Sequence, residues 1–248
     1  MEHIKSFKNK GIYLIKNFYS KKELNQIKKN TNKIKKQKTK KFVGVMKYYE
    51  DDIYKKNKVL VRAEYFYKKN KNLTNLIDGK RIKSILRKIT GDQCIIFKEK
   101  INYKPPGCRK DKLHQDMQGD WRKYTKNFIS ALISVDKSTK KNGCLEFDIS
   151  GNNHLSLRGK IFKELKISQL KKPSFKKIIL NPGDIVFFNA YIPHKSGKNF
   201  SKLSRTQIYL TYNIKKDGNF RKAYFNEKRI NFPPNNERKE KKLYKYKI

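Results

Sequence analysis

The sequence predicts a mainly β protein with flanking helices, whose antiparallel core is a jelly roll or a barrel. From Gln93 onward, apolar and polar residues alternate with a period of two, which is typical of strands with one buried face. The strands predicted after this point are separated by turn signals such as Asn142-Gly143 and Asn181-Pro182-Gly183, with little helix between them. Because parallel strands need long crossover connections, usually helices, this order favours an antiparallel core with helices packed outside.

The segment before this core is predicted to be largely helical. We expect a short strand over Gly11–Phe18, a loop over Lys47–Asp52, and a strand or irregular segment over Leu60–Tyr67. The stretch Ser20-Lys-Lys-Glu23 is a capping box, with the serine as N-cap, and it predicts the start of a helix. A second helix, ending near Gly91, is predicted by apolar residues at helical spacing: Ile82, Ile85, Leu86 and Ile89.

The core strands follow in quick succession. The alternation after Gln93 places one set of side chains on one face, Ile95, Phe97, Glu99, Ile101 and Tyr103, and a second set on the other, Ile96, Lys98, Lys100 and Asn102. Further strands are predicted over Phe128–Val135, Cys144–Phe147, Lys176–Leu180, Asp184–Ala190 and Arg205–Asn213. We therefore expect a single domain over 1–248: a helical N-terminal part (1–92), a jelly-roll core (93–213) and a basic C-terminal surface extension (214–248).

Composition limits the kind of protein this is. A chain of 248 residues with 12 % aromatic residues can bury a sizeable core. No apolar run is long enough to span a bilayer and the N-terminal MEHIKSFKNKG has no apolar signal core, so a cytoplasmic protein without membrane association is expected. The three cysteines include no CxxC pair, which argues against a disulfide framework and a structural zinc site. Nothing in the sequence indicates the oligomeric state.

The net charge of +42 suggests an anionic partner. The basic residues are spread along the whole chain, and lysine, asparagine and isoleucine are abundant together, as a drift of codon usage toward A and T would produce. This pattern favours a small anionic substrate over nucleic acid, although it leaves nucleic acid open.

The string HQDMQGDW contains the strongest chemical signal. His114 and Asp116 lie at i and i+2, so their side chains point the same way in an extended chain. The string NPGDIVFFNAYIPH predicts an apolar strand that ends near His194. Two histidines and one carboxylate on one face of a metal form the facial triad of non-haem Fe(II) oxygenases, which leaves three coordination positions open. His154 is an alternative ligand, although its position in a turn favours a surface histidine.

Arg205 begins the last predicted core strand, whose one face carries Arg205, Gln207, Tyr209, Thr211 and Asn213. If this face points into the core, the guanidinium needs a partner, because a buried unpaired charge is costly. No acidic residue lies nearby in the sequence. A carboxylate ligand is the simplest partner, since a guanidinium binds a carboxylate through two parallel hydrogen bonds, and Ser196 can add a third.

These residues resemble the phytanoyl-CoA dioxygenase family of Fe(II)- and 2-oxoglutarate-dependent oxygenases. The resemblance rests on His114-Gln115-Asp116, on His194 with Ser196 and Arg205, and on the NPGDIVFF strand. It extends to KEKINYKPPG, GCLEF, HKSGKNFS, RTQIYLTYN and NFPPNNER, which look like the branch of the family that hydroxylates aminoalkyl phosphonates and related small molecules. One departure is the stretch PPGCRKDKLHQD, which has charged residues where a glycine-rich approach is expected.

The resemblance implies a double-stranded β-helix, the cupin-like jelly roll, wrapped by the N-terminal helices. It also implies an enzyme that uses Fe(II), 2-oxoglutarate and O2 to hydroxylate a C–H bond of a small molecule, possible substrates including an organophosphonate. The metal ligands would be His114, Asp116 and His194. The implied 2-oxoglutarate residues are Arg205, Ser196, Lys100 and Asn102, with Lys98 as the rival of Lys100. The expected substrate-binding residues are Gln118, Trp121, Tyr48, Tyr49 and Arg62. Tyr48 and Tyr49 are a candidate lid, although packing is the commoner role of buried tyrosines.

Three alternative functions are weighed against this one. An iron oxygenase acting on nucleic acid would suit the charge, but such demethylases carry a second arginine shortly after the first, and TQIYLTYN after Arg205 has none. A related halogenase needs a vacant position where Asp116 stands. A non-enzymatic cupin-like binding module does not need a complete ligand set with a co-substrate arginine.

Overall fold

The computed structural model describes residues 2–52, 54, 57–154, 164–240, 242 and 244. The side chain of His154, the alternative metal ligand, lies outside what is described. Within the described part of the chain, no helix is long and apolar enough to cross a bilayer.

A seven-stranded sheet forms the larger layer, with the strand order β1-β9-β6-β11-β4-β3-β2 and antiparallel pairing throughout. Its strands, in chain order, are β1 (Ile12–Ile15), β2 (Met46–Asp51), β3 (Lys58–Glu64), β4 (Cys94–Asn102), β6 (Phe128–Ser134), β9 (Ile185–Asn189) and β11 (Gln207–Ile214).

A four-stranded antiparallel sheet, ordered β5-β10-β7-β8, forms the second layer. Its strands are β5 (Asp111–His114), β7 (Leu145–Asp148), β8 (Phe175–Lys177) and β10 (His194–Ser196). The predicted antiparallel, mainly β architecture is therefore confirmed.

Five helices are described: α1 (Glu2–Lys10), α2 (Lys21–Lys36), α3 (Lys71–Ile77), α4 (Lys80–Thr90) and α5 (Arg221–Asn231). The capping box predicted at Ser20 is present, because the serine side chain accepts from the Glu23 amide while the glutamate accepts from the serine amide. Helix α4 ends at Gly91, whose φ of 78° is a conformation that glycine adopts without steric cost.

Two apolar layers hold these elements together. Helices α2 and α4 cover one face of the large sheet, where Ile27 and Leu86 belong to the same buried cluster as Ile101 and Leu210. A second cluster fills the space between the two sheets; its buried members are Leu132, Leu145, Phe147, Ile178, Leu180, Val186, Phe188, Ile192 and Tyr209. The alternation along each strand thus supplies one face to the helices and one to the small sheet.

The faces predicted for β4 are wrong at Ile96 and Phe97. The register with β11 shifts there, because Thr211 pairs with Lys98 and Tyr212 with Ile96, which leaves Phe97 as an extra residue. Such a bulge turns the side chains beyond it to the opposite face. Ile96 therefore packs beneath the helices, while Phe97 joins the aromatic cluster around Trp121.

The N-terminal part contains more strand than predicted. Lys47–Asp52, expected to be a loop, lies almost entirely in β2, which pairs with β3 at the edge of the large sheet. The polar sequence of this edge strand hides its period of two. The short strands β5 and β10 were not predicted, because they have only 4 and 3 residues.

The prediction that 214–248 form a surface extension is wrong for its first half. Helix α5 packs beside β4, and Tyr224, Phe225 and Phe232 are buried together with Met46 and Trp121. These residues form a buried cluster that is separate from the one between the sheets. The single-domain organisation itself stays a prediction.

This packing can be tested on one helix. Phe225 is 2 % exposed and Ile230 is 68 % exposed. Phe225→Ala should lower the free energy of unfolding by about 3–5 kcal/mol because it leaves a cavity. Ile230→Ala should change it by less than about 0.5 kcal/mol. Urea unfolding followed by circular dichroism measures both, and two equally small effects would restore the surface-extension interpretation.

Candidate metal and co-substrate site

Two short strands bring the predicted metal ligands together. His114, the last residue of β5, pairs directly with His194, the first residue of β10. Asp116 begins a 3-10 turn just beyond β5, and the backbone amide of Met117 donates to the carbonyl of Ala190 at 3.2 Å, which holds this turn against the end of β9. One candidate ligand atom from each of the three residues lies within 4.8 Å of the others. The sequence prediction that these residues meet is confirmed.

Hydrogen bonds orient both imidazole rings. The Nδ1 atom of His114 lies 2.7 Å from the carbonyl oxygen of Lys112, and the Nδ1 atom of His194 lies 3.0 Å from that of Ile192. When Nδ1 carries the proton and donates it to a carbonyl, Nε2 keeps a lone pair for a metal. Two imidazole nitrogens and one carboxylate oxygen suit Fe(II) with open positions.

The electrostatic surroundings keep Asp116 and His194 deprotonated. Burial alone would raise the pKa of Asp116, but the charges of His194, Lys100 and Lys98 hold it at about 2. The Ser130 hydroxyl also donates to its carboxylate at 3.4 Å. Burial, reinforced by the neighbouring His114, lowers the pKa of His194 to about 4. At neutral pH both residues are therefore in the protonation state that binds a metal.

A cavity of about 680 Å³ opens onto this triad. It receives side chains from β3, β4, β5, β11 and α5. Among the described residues that line it are Arg62, Lys98, Lys100, Asn102, Asp111, Gln118, Trp121, Leu145, Tyr209, Tyr224, Lys228 and Phe232. The predicted substrate residues Arg62, Gln118 and Trp121 and the predicted co-substrate residues Lys100 and Asn102 are thus on its wall.

The inner wall of the cavity carries an excess of positive charge. The ammonium of Lys98 lies 4.1 Å from the Trp121 ring centroid, and that of Lys100 lies 4.7 Å from the Tyr209 ring centroid. Burial, together with the charges of Lys100 and Lys228, lowers the pKa of Lys98 well below its usual value. An anion bound beside Lys98 and Lys100 would offset this repulsion and stabilise the charged form of Lys98.

Glu64 pairs with two more cations of the same wall. Its carboxylate is 1 % exposed, contacts the ammonium of Lys228, and lies 3.5 Å from the guanidinium of Arg62. Burial would raise the pKa of Glu64, but Lys228 and Arg62 hold it at about 2. Burial lowers the pKa of Lys228 to about 8, against the opposing charge of Glu64.

At the opposite, buried end of the site, several polar atoms have no hydrogen-bond partner among the described residues. They include Nε of Arg205, Nε2 of Gln207 and Oδ1 of Asn102. Arg205 is 1 % exposed, and its Nη1 donates to the carbonyl of Gly143. Because unpaired buried donors are costly, Arg205 and Gln207 together suit the carboxylate of a bound co-substrate. The residues present therefore fit 2-oxoglutarate.

Lys104 is a residue that the sequence prediction missed. Its ammonium is 4 % exposed and donates to the Ser196 hydroxyl at 3.0 Å, while Lys98 and Lys100 lie on the metal side. The sequence contains a pattern that could have predicted it, because Lys104 continues the alternating polar positions 98, 100 and 102 by one step. The PPG turn that follows obscured it.

The prediction that Tyr48 and Tyr49 bind substrate as a lid is corrected by the structure, which favours the packing alternative for Tyr48. Among the described residues that line the cavity, neither tyrosine is found. Tyr48 is buried, stacks on Phe232 with ring centroids 5.1 Å apart, and donates its hydroxyl to the Phe232 carbonyl at 3.0 Å. Tyr49 lines a separate groove. Tyr48 therefore packs behind Arg62 and Lys228 and supports them.

Comparison with known proteins decides the family. The model of the phytanoyl-CoA dioxygenase family matches residues 7–207. The chain belongs to the phytanoyl-CoA dioxygenase family. Membership of this family, together with the His-Asp-His triad, confirms the predicted enzyme class, an Fe(II)- and 2-oxoglutarate-dependent dioxygenase.

Two curated relatives are similar over most of the chain. A 2-aminoethylphosphonate dioxygenase of an uncultured bacterium (HF130_AEPn_1) is 35 % identical over 203 residues, which are 80 % of this chain and 76 % of the relative. A methylphosphonate hydroxylase of Gimesia maris is 34 % identical over 175 residues, which are 69 % of this chain and 65 % of the relative. The predicted likeness to phosphonate hydroxylases is confirmed.

Solved structures show the same fold. EctD from S. alaskensis, determined with 2-oxoglutarate and 5-hydroxyectoine, superimposes with a TM-score of 0.74 at 17 % identity, over 87 % of this chain and 76 % of that one. EctD with bound Fe superimposes with a TM-score of 0.73 at 18 % identity, over 87 % and 77 % of the two chains. This phytanoyl-CoA dioxygenase family member therefore has the predicted jelly-roll fold.

The charge on Glu64 makes a testable contribution to stability. Its pKa of about 2 in the folded state lies below the usual glutamate value of 4.5, so the unfolded chain takes up the proton first as the pH falls. The stabilisation from this group is complete above pH 4.5 and is lost as the pH falls toward 2. In Glu64→Gln, the dependence of unfolding free energy on pH over this window should be shallower than in wild type. Identical profiles in urea titrations would contradict the assignment.

Proposed function

We propose that this dioxygenase hydroxylates a C–H bond of a small organophosphonate. The observation that carries the proposal is the charge of the inner cavity wall. Arg62, Lys98, Lys100 and Lys228 face the cavity, and Glu64 is the carboxylate that pairs with two of them. Arg62 also lies in the field of Asp111 and Glu50, whereas Lys98 and Lys100 form no salt bridge with any carboxylate among the described residues.

The basic residues at the mouth of the cavity differ from those inside, because each has its own carboxylate. Lys112 lies 3.1 Å from Glu164, Lys123 lies 3.1 Å from Asp120, and Arg109 lies 3.3 Å from Glu50. The unbalanced positive charge is thus concentrated beside the metal ligands. A phosphonate balances it well, because it carries up to two negative charges on three acceptor oxygens, as a phosphate group does.

Each residue then has a defined task. His114, Asp116 and His194 would hold Fe(II), which together with 2-oxoglutarate supplies the activation of O2. Arg205, Gln207, Ser196 and Asn102 would hold the carboxylate of 2-oxoglutarate. Lys98, Lys100, Lys228 and Arg62 would hold the phosphonate, so Lys100 moves from the co-substrate to the substrate set. Trp121 and Gln118 would complete the pocket beside them.

The substituent on the reacting carbon would face the aromatic part of the wall. Trp121, Tyr224 and Phe232 line this part and exclude water from the reacting carbon. The names of the two curated relatives, which both contain a phosphonate, support the same substrate class. The preference for a small molecule over nucleic acid stays a prediction.

The proposal is tested by substrate-stimulated succinate formation. With Fe(II) and 2-oxoglutarate present, methylphosphonate or 2-aminoethylphosphonate should stimulate succinate release and yield a hydroxylated product. Lys228→Met should raise KM for the phosphonate by about tenfold to a hundredfold, because it removes one charge-assisted hydrogen bond.

Matched controls come from the same chain. Lys222→Met removes an exposed lysine of the same helix and should leave KM unchanged. Asp116→Ala should abolish turnover in a folded protein. Stimulation by a carboxylate or sulfonate, with none by any phosphonate, would contradict the proposed substrate class.

A further inference from the structure

The Ser196 hydroxyl, assigned to 2-oxoglutarate above, already has a carboxylate bound to it. Ser196 pairs with Asp111 across β10 and β5, with a bulge between this pair and the His194–His114 pair. The Ser196 hydroxyl donates to Oδ2 of Asp111. The ammonium of Lys104 donates to the same hydroxyl oxygen at 3.0 Å and lies 3.5 Å from Oδ2 of Asp111.

Asp111 is the member of this trio that the cavity reaches. Its side chain is 41 % exposed and lines the cavity, whereas Ser196 and Lys104 are 3 % and 4 % exposed behind it. The trio adjoins the co-substrate arginine, since the backbone amide of Arg205 donates to the carbonyl of Lys104 at 3.1 Å. Of these three side chains, Asp111 is therefore the one that a carboxylate bound in the cavity can contact.

The carboxylate of Asp111 and a carboxylate of 2-oxoglutarate would compete for the same hydrogen bond from Ser196. A serine hydroxyl has one proton to donate, and that of Ser196 is given to Asp111. An arriving carboxylate must therefore take this hydrogen bond from Asp111 or lie beside a like charge, and both are unfavourable. Asp111 belongs to the charged stretch in which the sequence departs from the glycine-rich approach expected of the family.

We infer that Asp111 is an internal competitor of 2-oxoglutarate, whose carboxylate occupies Ser196 and Lys104 in the free protein and lowers the affinity for the co-substrate. The inference rests on the proposed function, in which Arg205 and Ser196 receive 2-oxoglutarate. It makes Asp111 a residue that sets co-substrate affinity without touching the metal. Lys104 has the opposite effect and raises the affinity for 2-oxoglutarate, because its ammonium can pair with either carboxylate.

The test is a binding measurement that does not depend on turnover. 2-Oxoglutarate is titrated anaerobically into the Fe(II)-loaded protein and followed by isothermal titration calorimetry. Asp111→Asn keeps an oxygen that accepts from Ser196 but removes the negative charge, so the Kd for 2-oxoglutarate should fall about tenfold. Asp111→Ala should lower Kd as well, and Lys104→Met should raise it. Asp92→Asn removes an equal charge from the half-buried partner of the exposed Lys216, away from the cavity lining, and should leave Kd unchanged.

The outcomes separate this inference from the proposed function. Thermal melting of each variant confirms that it is folded. If the wild type binds 2-oxoglutarate and both Asp111 variants bind it equally or more weakly, the competitor role is wrong, and Asp111 instead holds Ser196 and Lys104 in place for the co-substrate. If the folded, Fe(II)-loaded wild type does not bind 2-oxoglutarate, both the proposed co-substrate site and this inference are overturned.

Discussion

The direct pairing of His114 with His194 across β5 and β10 is the constraint on which the site depends. Backbone hydrogen bonds between two short strands place both imidazoles side by side, with ring centroids 4.2 Å apart. Beyond a bulge, the same strands continue to Asp111 and Ser196, so the pairing of two short strands places both sets of side chains. Strands β4 and β11 form the opposite wall and present Lys100 and Tyr209 to the same space. A slip of one residue in β5 would turn each of these side chains away from its partner.

The charged residues of the site fall into three groups, according to the ligand that each is proposed to bind. Asp111 and Lys104 lie at the proposed co-substrate end, Asp116 lies among the metal ligands, and the lysines of β4 and α5 lie at the proposed substrate end. Burial makes each of these charges effective, because a low local dielectric strengthens both attraction and repulsion. The net charge of +42 gives no hint of this order, since most of the basic residues lie on the surface. Local pairing, rather than total charge, identifies the place where an anion binds.

The parts of the fold that follow from local patterns were predictable. The capping box at Ser20, the helix ending at Gly91 and the long alternating strands depend on neighbours in sequence. The triad was predictable because few histidines are available and the i, i+2 spacing restricts their geometry. The bulge at Phe97 was not, because it depends on the register with β11. The burial of Phe225 and the salt bridge between Glu64 and Lys228 both depend on contacts between residues far apart in the chain. The basic sequence around each residue does not indicate these contacts.

The most direct test of the account is an anaerobic titration of the metal-free protein with Fe(II) and then with 2-oxoglutarate, followed by visible absorption. The account predicts a charge-transfer band in the wild type, since the keto acid would chelate the Fe(II) that the triad holds. Asp116→Ala should give no band, and Arg205→Ala should need a higher 2-oxoglutarate concentration to reach the same absorbance. A folded wild type that forms no band, or a band that survives Asp116→Ala unchanged, would contradict the assignment of this site.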